Sequence, residues 1–250
     1  MRTLRLTLAY DGTDFAGWQV QPDCPTVQGR VRDACARILG EPVKLTGASR
    51  TDAGVHALRQ VASLATASSL DPARLARGLN ALLPDSIRVL QASEVPAGFD
   101  ARRSALGKRY LYVIDRGRVA HPLGRRYAWH PRFALDVGAM RSALGALRGK
   151  HDFSAFCAAP GRGRTPTCTV RSARLVERGD RIAIVLSADS FLHHMVRNIV
   201  GSLVEVGRGA QPASWMAGLL AGRDRTRSGP TAPPQGLMLV RVLYGEACRG

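Results

Sequence analysis

The chain has 250 residues, 45% of them hydrophobic, which suffices for a buried core in one large domain or two smaller ones. Its formal net charge of +17 makes a polyanion the leading partner, because each phosphate that a protein neutralises releases counterions. The five cysteines form no CxxC pair and no zinc-spaced cluster with histidine, and no apolar run reaches the roughly 18 residues of a membrane span.

Six elements in the order β-α-β-β-α-β are predicted for the first half. Thr26 is a helix N-cap, and Asp71 with Pro72 forms a second helix start. Alternating apolar residues mark the strands, and apolar residues at helical spacing mark the helices. The predicted strands are 4–10, 43–49, 56–66 and 87–95, and the predicted helices are 26–39 and 71–83.

The second half follows a similar plan with insertions. Its predicted strands are 108–114, 168–177, 181–187 and 236–244, and its predicted helices are 136–147, 190–206 and 212–221. The fold class is therefore predicted to be α+β, with two ferredoxin-like halves whose antiparallel sheets join into one extended sheet around an active-site cleft. The predicted domains are 1–105, which carries an aspartate loop, and 106–250.

The candidate motifs for nucleotide or metal binding in this sequence are incomplete. The stretch GALRGK (145–150) has one residue too few between its glycines for a phosphate loop, and GRGR (161–164) lacks the third glycine of a dinucleotide fingerprint. His193 and His194 would point about 100° apart on the predicted helix and so would not share a metal. We expect no cofactor and no metal.

One carboxylate, Asp52, stands in an unusual frame within TGASRTDAGVHALRQ (46–60). Gly47 and Gly54 permit unusual backbone dihedrals, and the small neighbouring side chains leave room for a planar ligand. The guanidinium of Arg50, two residues earlier, would favour the ionised carboxylate. From the loop alone, an aspartate that merely caps a turn is the favoured interpretation.

Seven segments that occur in order along the chain help to decide whether Asp52 is functional or only caps a turn. They are YDGTDFAGWQVQP, TVQGRV, GASRTDAGVHA, KRYLYVI, HDFSAF, SFLHHMVRNIVGSLVEVG and APPQGLMLVRV. Together they resemble the tRNA pseudouridine synthase A family over residues 4–244. The resemblance implies an isomerase of tRNA processing that converts uridines 38, 39 and 40 of the anticodon stem-loop to pseudouridine without a cofactor. It also implies that Asp52 is the essential aspartate, which either attacks the ribose or base or removes a ribose proton.

The resemblance assigns roles to further residues. Arg50 matches the arginine that assists base flipping, with a plain phosphate contact as the alternative. Tyr110 matches the tyrosine that stacks on the uracil and can move a proton, whereas Tyr112 is expected in the core. Arg197 matches the partner of the catalytic carboxylate. Leu237 matches an apolar residue of the uracil pocket and is equally compatible with the core.

The implied partners are tRNA and a second copy of the chain in a homodimer, with Arg162 and Arg164 among the arginines that would follow the RNA backbone. The odd number of cysteines argues against a disulfide framework, and no apolar run is long enough for a membrane span, so a cytoplasmic protein with no membrane association is predicted. Two departures from the family pattern, Ser49 and Asp189, affect loop details only. Two other functions stay open: a catalytically silent RNA-binding protein of the same fold, and a pseudouridine synthase with a different RNA target.

Overall fold

The computed structural model describes residues 1–158 and 165–245. Contacts between residues divide them into two units. The first unit comprises residues 1–106 and 238–245, and the second comprises residues 107–237. Within the described residues, no helix is both long and apolar enough to cross a bilayer.

The first unit is a ferredoxin-like layer of helices on a sheet. Its elements are β1 (Arg2–Tyr10), α1 (Val27–Leu39), β2 (Thr46–Gly47), β3 (His56–Thr66), α2 (Pro72–Leu82), β4 (Ile87–Val95) and, from Met238 onward, β9 (Leu237–Leu243). The strand order is β4-β1-β3-β2 with antiparallel neighbours. The last strand, β9, runs parallel to the start of β3, where His56 lies opposite Met238.

Local signals in the sequence set the helix starts of this unit. Thr26 accepts a hydrogen bond from the backbone N–H of Gly29, and Asp71 accepts one from Arg74. Helix α1 ends at Gly40, whose φ of 71° is the left-handed conformation typical of glycine caps. The apolar faces of sheet and helices form the core, with fully buried Leu4, Leu6, Leu8, Val27, Val31, Leu75 and Leu79.

The second unit has an antiparallel sheet in the order β5-β8-β7-β6. Its elements are β5 (Gly107–Asp115), α3 (Val137–Gly145), β6 (Gly149–Asp152), β7 (Thr167–Arg178), β8 (Arg181–Ala188), α4 (Met195–Gly207) and α5 (Trp215–Gly222). Helix α4 is buried along nearly its whole length, because its apolar residues occupy more than one face.

The α+β class and the ferredoxin-like plan are confirmed. Two local predictions are wrong, and one strand was missed. The strand predicted at 43–49 pairs only at Thr46–Gly47, β6 was not predicted, and the helix predicted from residue 190 begins at Met195, because His194 is left-handed with φ 59°. The predicted domain 106–250 included the last strand, whose residues from Met238 onward group with the first unit. The relation between the two sheets stays a prediction.

Candidate active site

Asp52 lies in the loop that connects β2 to β3, which we call the Asp52 loop (residues 48–55). Its backbone carbonyl accepts a hydrogen bond from the N–H of Val55 at 3.1 Å, and Gly54 completes the turn with φ 75°. Asp52 itself is partly buried, and Arg50 is exposed. The loop therefore presents one carboxylate and one guanidinium at the start of β3.

A second loop (residues 11–18), which follows β1, holds the Asp52 loop in place. The N–H of Trp18 donates to the carbonyl of Thr51 at 3.0 Å. Gly17, with φ 97°, approaches so closely that an added Cβ would lie 2.7 Å from the Thr51 oxygen and 3.1 Å from the carbonyl carbon of Asp52. Only glycine permits both that φ and that approach, so this position fixes where the Asp52 peptide lies.

The glycine at position 47 has a different role from the one predicted. Its φ is not among the positive values of the described glycines. Instead, the indole of Trp18 packs on it, and an added Cβ would lie 2.4 Å from the Nε1 of that ring. Trp18 is almost fully buried. Gly47 is therefore required for close packing beneath the loop and not for an unusual dihedral.

Buried polar side chains hold the residues on either side of Arg50. The amide of Gln60 donates to the carbonyl of Ser49 at 2.7 Å and accepts from the N–H of Ser49 at 3.3 Å. The hydroxyl groups of Thr51 and Tyr10 lie 2.8 Å apart in a buried hydrogen bond. The guanidinium of Arg50 thus projects from a backbone that is held at both neighbouring residues.

In the second unit, Tyr110 lies on β5 opposite Leu186 of β8. Its ring packs edge-on against Phe191, with centroids 4.9 Å apart and planes at 81°. Tyr110 is 6% exposed. Phe191 precedes helix α4, so the pair joins a strand to the segment that leads into that helix and fixes the orientation of the tyrosine ring.

Tyr112 is a core residue, as predicted. It is fully buried, and its hydroxyl donates to the carbonyl of Pro233 at 2.8 Å. Burial raises its pKa well above the usual value, an effect that the positive charge of Arg197 partly opposes. Tyr112 therefore stays neutral and supports the neighbouring site structurally.

Arg197 lies in the first turn of α4 and is half-buried. Its Nε donates to the carbonyl of Ala232 at 2.8 Å, and its own carbonyl accepts from the N–H of Ala232 at 3.1 Å. These two bonds tie the arginine to the segment 228–232, which runs alongside the helix. The segment touches the helix so closely that a Cβ on Gly201 would lie 1.7 Å from the Pro230 oxygen.

Asn198, the residue after Arg197, is fully buried and anchors this segment. Its Oδ1 accepts from Thr231 at 2.7 Å and from the guanidinium of Arg225 at 3.1 Å, while its Nδ2 donates to the carbonyl of Phe156 at 2.8 Å. This side chain was not predicted from the sequence, although it stands in the motif FLHHMVRN. It sets the position of the chain that holds the guanidinium of Arg197.

The geometry of the two adjacent histidines differs from the prediction. His193 and His194 precede α4 and do not lie within it, and their rings stack with centroids 3.9 Å apart and planes at 34°. The expected separation of about 100° was wrong because it assumed a helix at these positions.

The remaining predicted residues are placed as follows. Leu237 is the first residue of β9 and is 5% exposed. Arg162 and Arg164 lie outside the described residues. Arg50 and Asp52 share one loop of the first unit, and Tyr110 and Arg197 belong to the second. The ion pair between Asp52 and Arg197 stays a prediction.

The chain is similar to proteins of one known family. Residues 7–102 and 143–245 match the family model described as tRNA pseudouridine synthase. The chain therefore belongs to the tRNA pseudouridine synthase family, an isomerase family. The matched ranges contain Arg50, Asp52, Arg197 and Leu237, whereas Tyr110 falls between them.

Two relatives place the chain more closely within this family. The tRNA pseudouridine synthase A of Myxococcus xanthus is 46% identical over 247 residues, which cover 98% of this chain and 93% of the relative. The protein of the same name from Moorella thermoacetica is 46% identical over 246 residues, which cover 98% of this chain and all of the relative. The resemblance expected from the seven sequence segments is thus confirmed over nearly the full chain.

Proposed function

We propose that this chain isomerises uridines 38, 39 and 40 in the anticodon stem-loop of tRNA to pseudouridine, with Asp52 as the essential carboxylate. Family membership and relatives named tRNA pseudouridine synthase A support the reaction and the substrate class. The net charge of +17 suits a nucleic-acid substrate.

The single observation that carries the proposal is the restraint on the Asp52 loop. The backbone is hydrogen-bonded at Ser49 and Thr51, and Gly17 packs against the Asp52 peptide itself. An aspartate that only caps a turn does not need a second loop to fix its position. A carboxylate that reacts does, because misplacement of about 1 Å can reduce a rate about 100-fold.

The reaction is an isomerisation in which the N1–C1′ bond of uridine breaks and a C5–C1′ bond forms. C5 loses a proton and N1 gains one, so atoms and electrons balance without a co-reactant. Two roles suit Asp52: its carboxylate adds to the ribose or base as a nucleophile, or it removes a ribose proton as a general base. In both roles the carboxylate must lie close to the flipped nucleotide.

The neighbouring residues receive supporting roles. The target base must leave the RNA stack, which costs a few kcal/mol. The exposed Arg50, on its pinned backbone, is suited to occupy the vacated space. Tyr110 would stack on the uracil with a ring held by Phe191. Arg197 would pair with the carboxylate, and Leu237 would contribute an apolar wall.

The partners in this proposal are tRNA and a second copy of the chain in a cytoplasmic homodimer. Arg162 and Arg164 would contact phosphates of the RNA. These assignments rest on the resemblance and on the charge of the chain.

The proposal is tested by incubating the protein with an unmodified tRNA transcript and mapping pseudouridine by primer extension after chemical derivatisation. We expect product at positions 38, 39 and 40, and its loss at these positions in cellular tRNA from a deletion strain. Product at other positions would contradict the target assignment. Tight tRNA binding without any product would instead identify a catalytically silent RNA-binding protein.

A further inference from the structure

A basic cavity of about 1110 Å³ lies in the second unit, beyond the end of β5. Its lining comes mainly from residues 115–135, which we call the β5 insertion, together with Asp180 and Gln235. This segment falls between the two ranges that match the family model. None of the residues proposed for the reaction lies in it. The volume slightly exceeds the range typical of small-molecule sites, about 300–1,000 Å³.

The β5 insertion is anchored by backbone pairing. The N–H of Asp115 donates to the carbonyl of Trp129 at 2.8 Å, and the N–H of Trp129 donates to the carbonyl of Val113 at 3.0 Å. Trp129 also packs edge-on against Tyr112, with ring centroids 6.5 Å apart. The wall of the cavity that carries Trp129 is therefore fixed to the core of the unit.

Positive charge dominates the lining. Four arginines (116, 118, 125 and 132) face two aspartates (115 and 180), an excess of two positive charges. Arg118, Arg125 and Arg132 are exposed and form no ion pair or side-chain hydrogen bond with another described residue. The carboxylate of Asp115 already accepts the N–H of Gly117 at 2.9 Å. Three guanidinium groups are thus available to an external anion.

The fourth arginine is held rigidly. The guanidinium of Arg116 lies 3.2 Å from Glu177, yet its buried Nε has no acceptor among the described residues. The same guanidinium donates to the carbonyl of Gly179 at 3.3 Å. Arg116 therefore supports the cavity wall, and the three exposed arginines are the groups that can meet an anion.

Aromatic surface accompanies the charge. Phe133 is 44% exposed, and Trp129 is partly exposed in the same lining. Aromatic faces beside guanidinium groups suit a base and its phosphates, because bases stack on aromatic rings and arginine binds phosphate with two parallel hydrogen bonds. A symmetric contact with a second copy of the chain fits this surface less well, since the lining, with its excess of two positive charges, would face itself.

We infer that this cavity binds an unstacked nucleotide of the RNA substrate, with its flanking phosphates, at a position other than the target uridine. The inference rests on the proposed function insofar as that function supplies an RNA substrate. The cavity would act as an auxiliary site that adds affinity and sets the orientation of the tRNA, separately from the chemistry at Asp52.

The first test compares two triple variants by their affinity for an unmodified tRNA transcript. The cavity variant carries Arg118→Ala, Arg125→Ala and Arg132→Ala, and the control carries Arg37→Ala, Arg74→Ala and Arg77→Ala, which are exposed arginines of the first unit. Both variants lose the same charge. Fluorescence anisotropy across a range of KCl concentrations gives the slope of log affinity against log salt.

We expect the slope of the cavity variant to fall in magnitude by about 2 to 3, since each lost phosphate contact reduces it by roughly 0.7 to 0.9. The slope of the control should change by less than about 1. Phe133→Leu keeps apolar volume but removes the stacking face, and should weaken binding without altering the slope. Equal slopes for the two triple variants would overturn the inference.

A second test locates the contact. Transcripts with randomly placed 4-thiouridine are crosslinked to the Asp52→Asn protein, and the crosslinked peptides and nucleotides are mapped. We expect crosslinks from residues 116–135 to nucleotides other than 38, 39 and 40. Crosslinks confined to other peptides would overturn the inference and leave the proposed function intact. The proposed function, by contrast, fails if the wild-type protein neither binds nor modifies the transcript.

A third test measures the oligomeric state of the variants. Analytical ultracentrifugation of the cavity variant should give the same sedimentation behaviour as the wild type and the control. Dissociation of the cavity variant alone, with an unchanged salt slope, would show that this surface contacts a second copy of the chain and would refute RNA binding there.

Discussion

Replacing Gly17 with alanine should displace the Asp52 peptide and slow catalysis. Alanine at φ 97° costs about 1–2 kcal/mol of backbone strain. Its Cβ would lie 2.7 Å from the carbonyl oxygen of Thr51. Carbon–oxygen contacts normally begin near 3.3 Å, so the two loops must separate by roughly 0.6 Å. This overpacking adds about 1–3 kcal/mol, for a total of roughly 2–5 kcal/mol of lost stability.

The same displacement moves the carboxylate relative to the nucleotide. Because about 1 Å of misplacement can reduce a rate about 100-fold, we expect the single-turnover rate of pseudouridine formation to fall by roughly 10- to 100-fold. Stability is measured by urea unfolding, and the rate is measured well below the melting temperature of the variant. The variant is expected to be folded under these conditions.

Gly40 provides the matched control for this experiment. Its φ of 71° is also left-handed, but an added Cβ would meet nothing within 4 Å. Gly40→Ala should therefore lose only the strain energy, about 1–2 kcal/mol, and keep the wild-type rate. A wild-type rate in Gly17→Ala, or an equal loss of rate in Gly40→Ala, would refute the claim that Gly17 positions Asp52.

Three further predictions concern the second unit and the cysteines. Asn198→Ala should lose about 1–3 kcal/mol in urea unfolding, because it leaves the buried carbonyl of Phe156 without the side-chain donor that it has in the wild type; a loss below about 0.5 kcal/mol would contradict this. Burial acts to raise the pKa of Asp189, but hydrogen bonds to its carboxylate outweigh this effect and lower that pKa. The ionised carboxylate therefore stabilises the folded state above the unfolded pKa of about 3.9, and this contribution is lost as pH falls through the lower folded pKa. Asp189→Asn should flatten the decline of unfolding free energy below about pH 4, and an unchanged acid limb would show that the carboxylate is not stabilised. Burial raises the pKa of Cys35 to about 12, so roughly one thiol in ten thousand is ionised at pH 8. Iodoacetamide should therefore label the exposed Cys24 before Cys35, as peptide mapping would reveal, and equal labelling of these two would refute the burial.

Patterns local in the sequence predicted most of the elements. The helix starts at Thr26 and Asp71 were predicted because capping residues act within one turn. Strands β3 and β4 have the predicted bounds because alternation marks strand length. The start of α4 was wrong because the apolar spacing of residues 190–206 is helical throughout, and a left-handed histidine at 194 leaves no sign in such a pattern.

The candidate site was also predicted only in part. Asp52 was identified from its motif and from the resemblance to a family. The residues that hold its loop were not identified, because Tyr10, Trp18 and Gln60 contact the loop from other parts of the chain. Contacts across such separations depend on the tertiary fold. For the same reason Gly47 was assigned to backbone freedom when it makes room for an indole.

The most direct test of the account replaces Asp52 with asparagine, which keeps the shape of the side chain and removes its charge. The rate of pseudouridine formation in an unmodified tRNA transcript is compared with that of Asp33→Asn, the same substitution at an exposed carboxylate on α1. We predict that Asp52→Asn lowers the rate by about 100- to 10,000-fold or more while tRNA binding persists, and that the control retains the wild-type rate. Pseudouridine formation at the wild-type rate by Asp52→Asn would contradict the account.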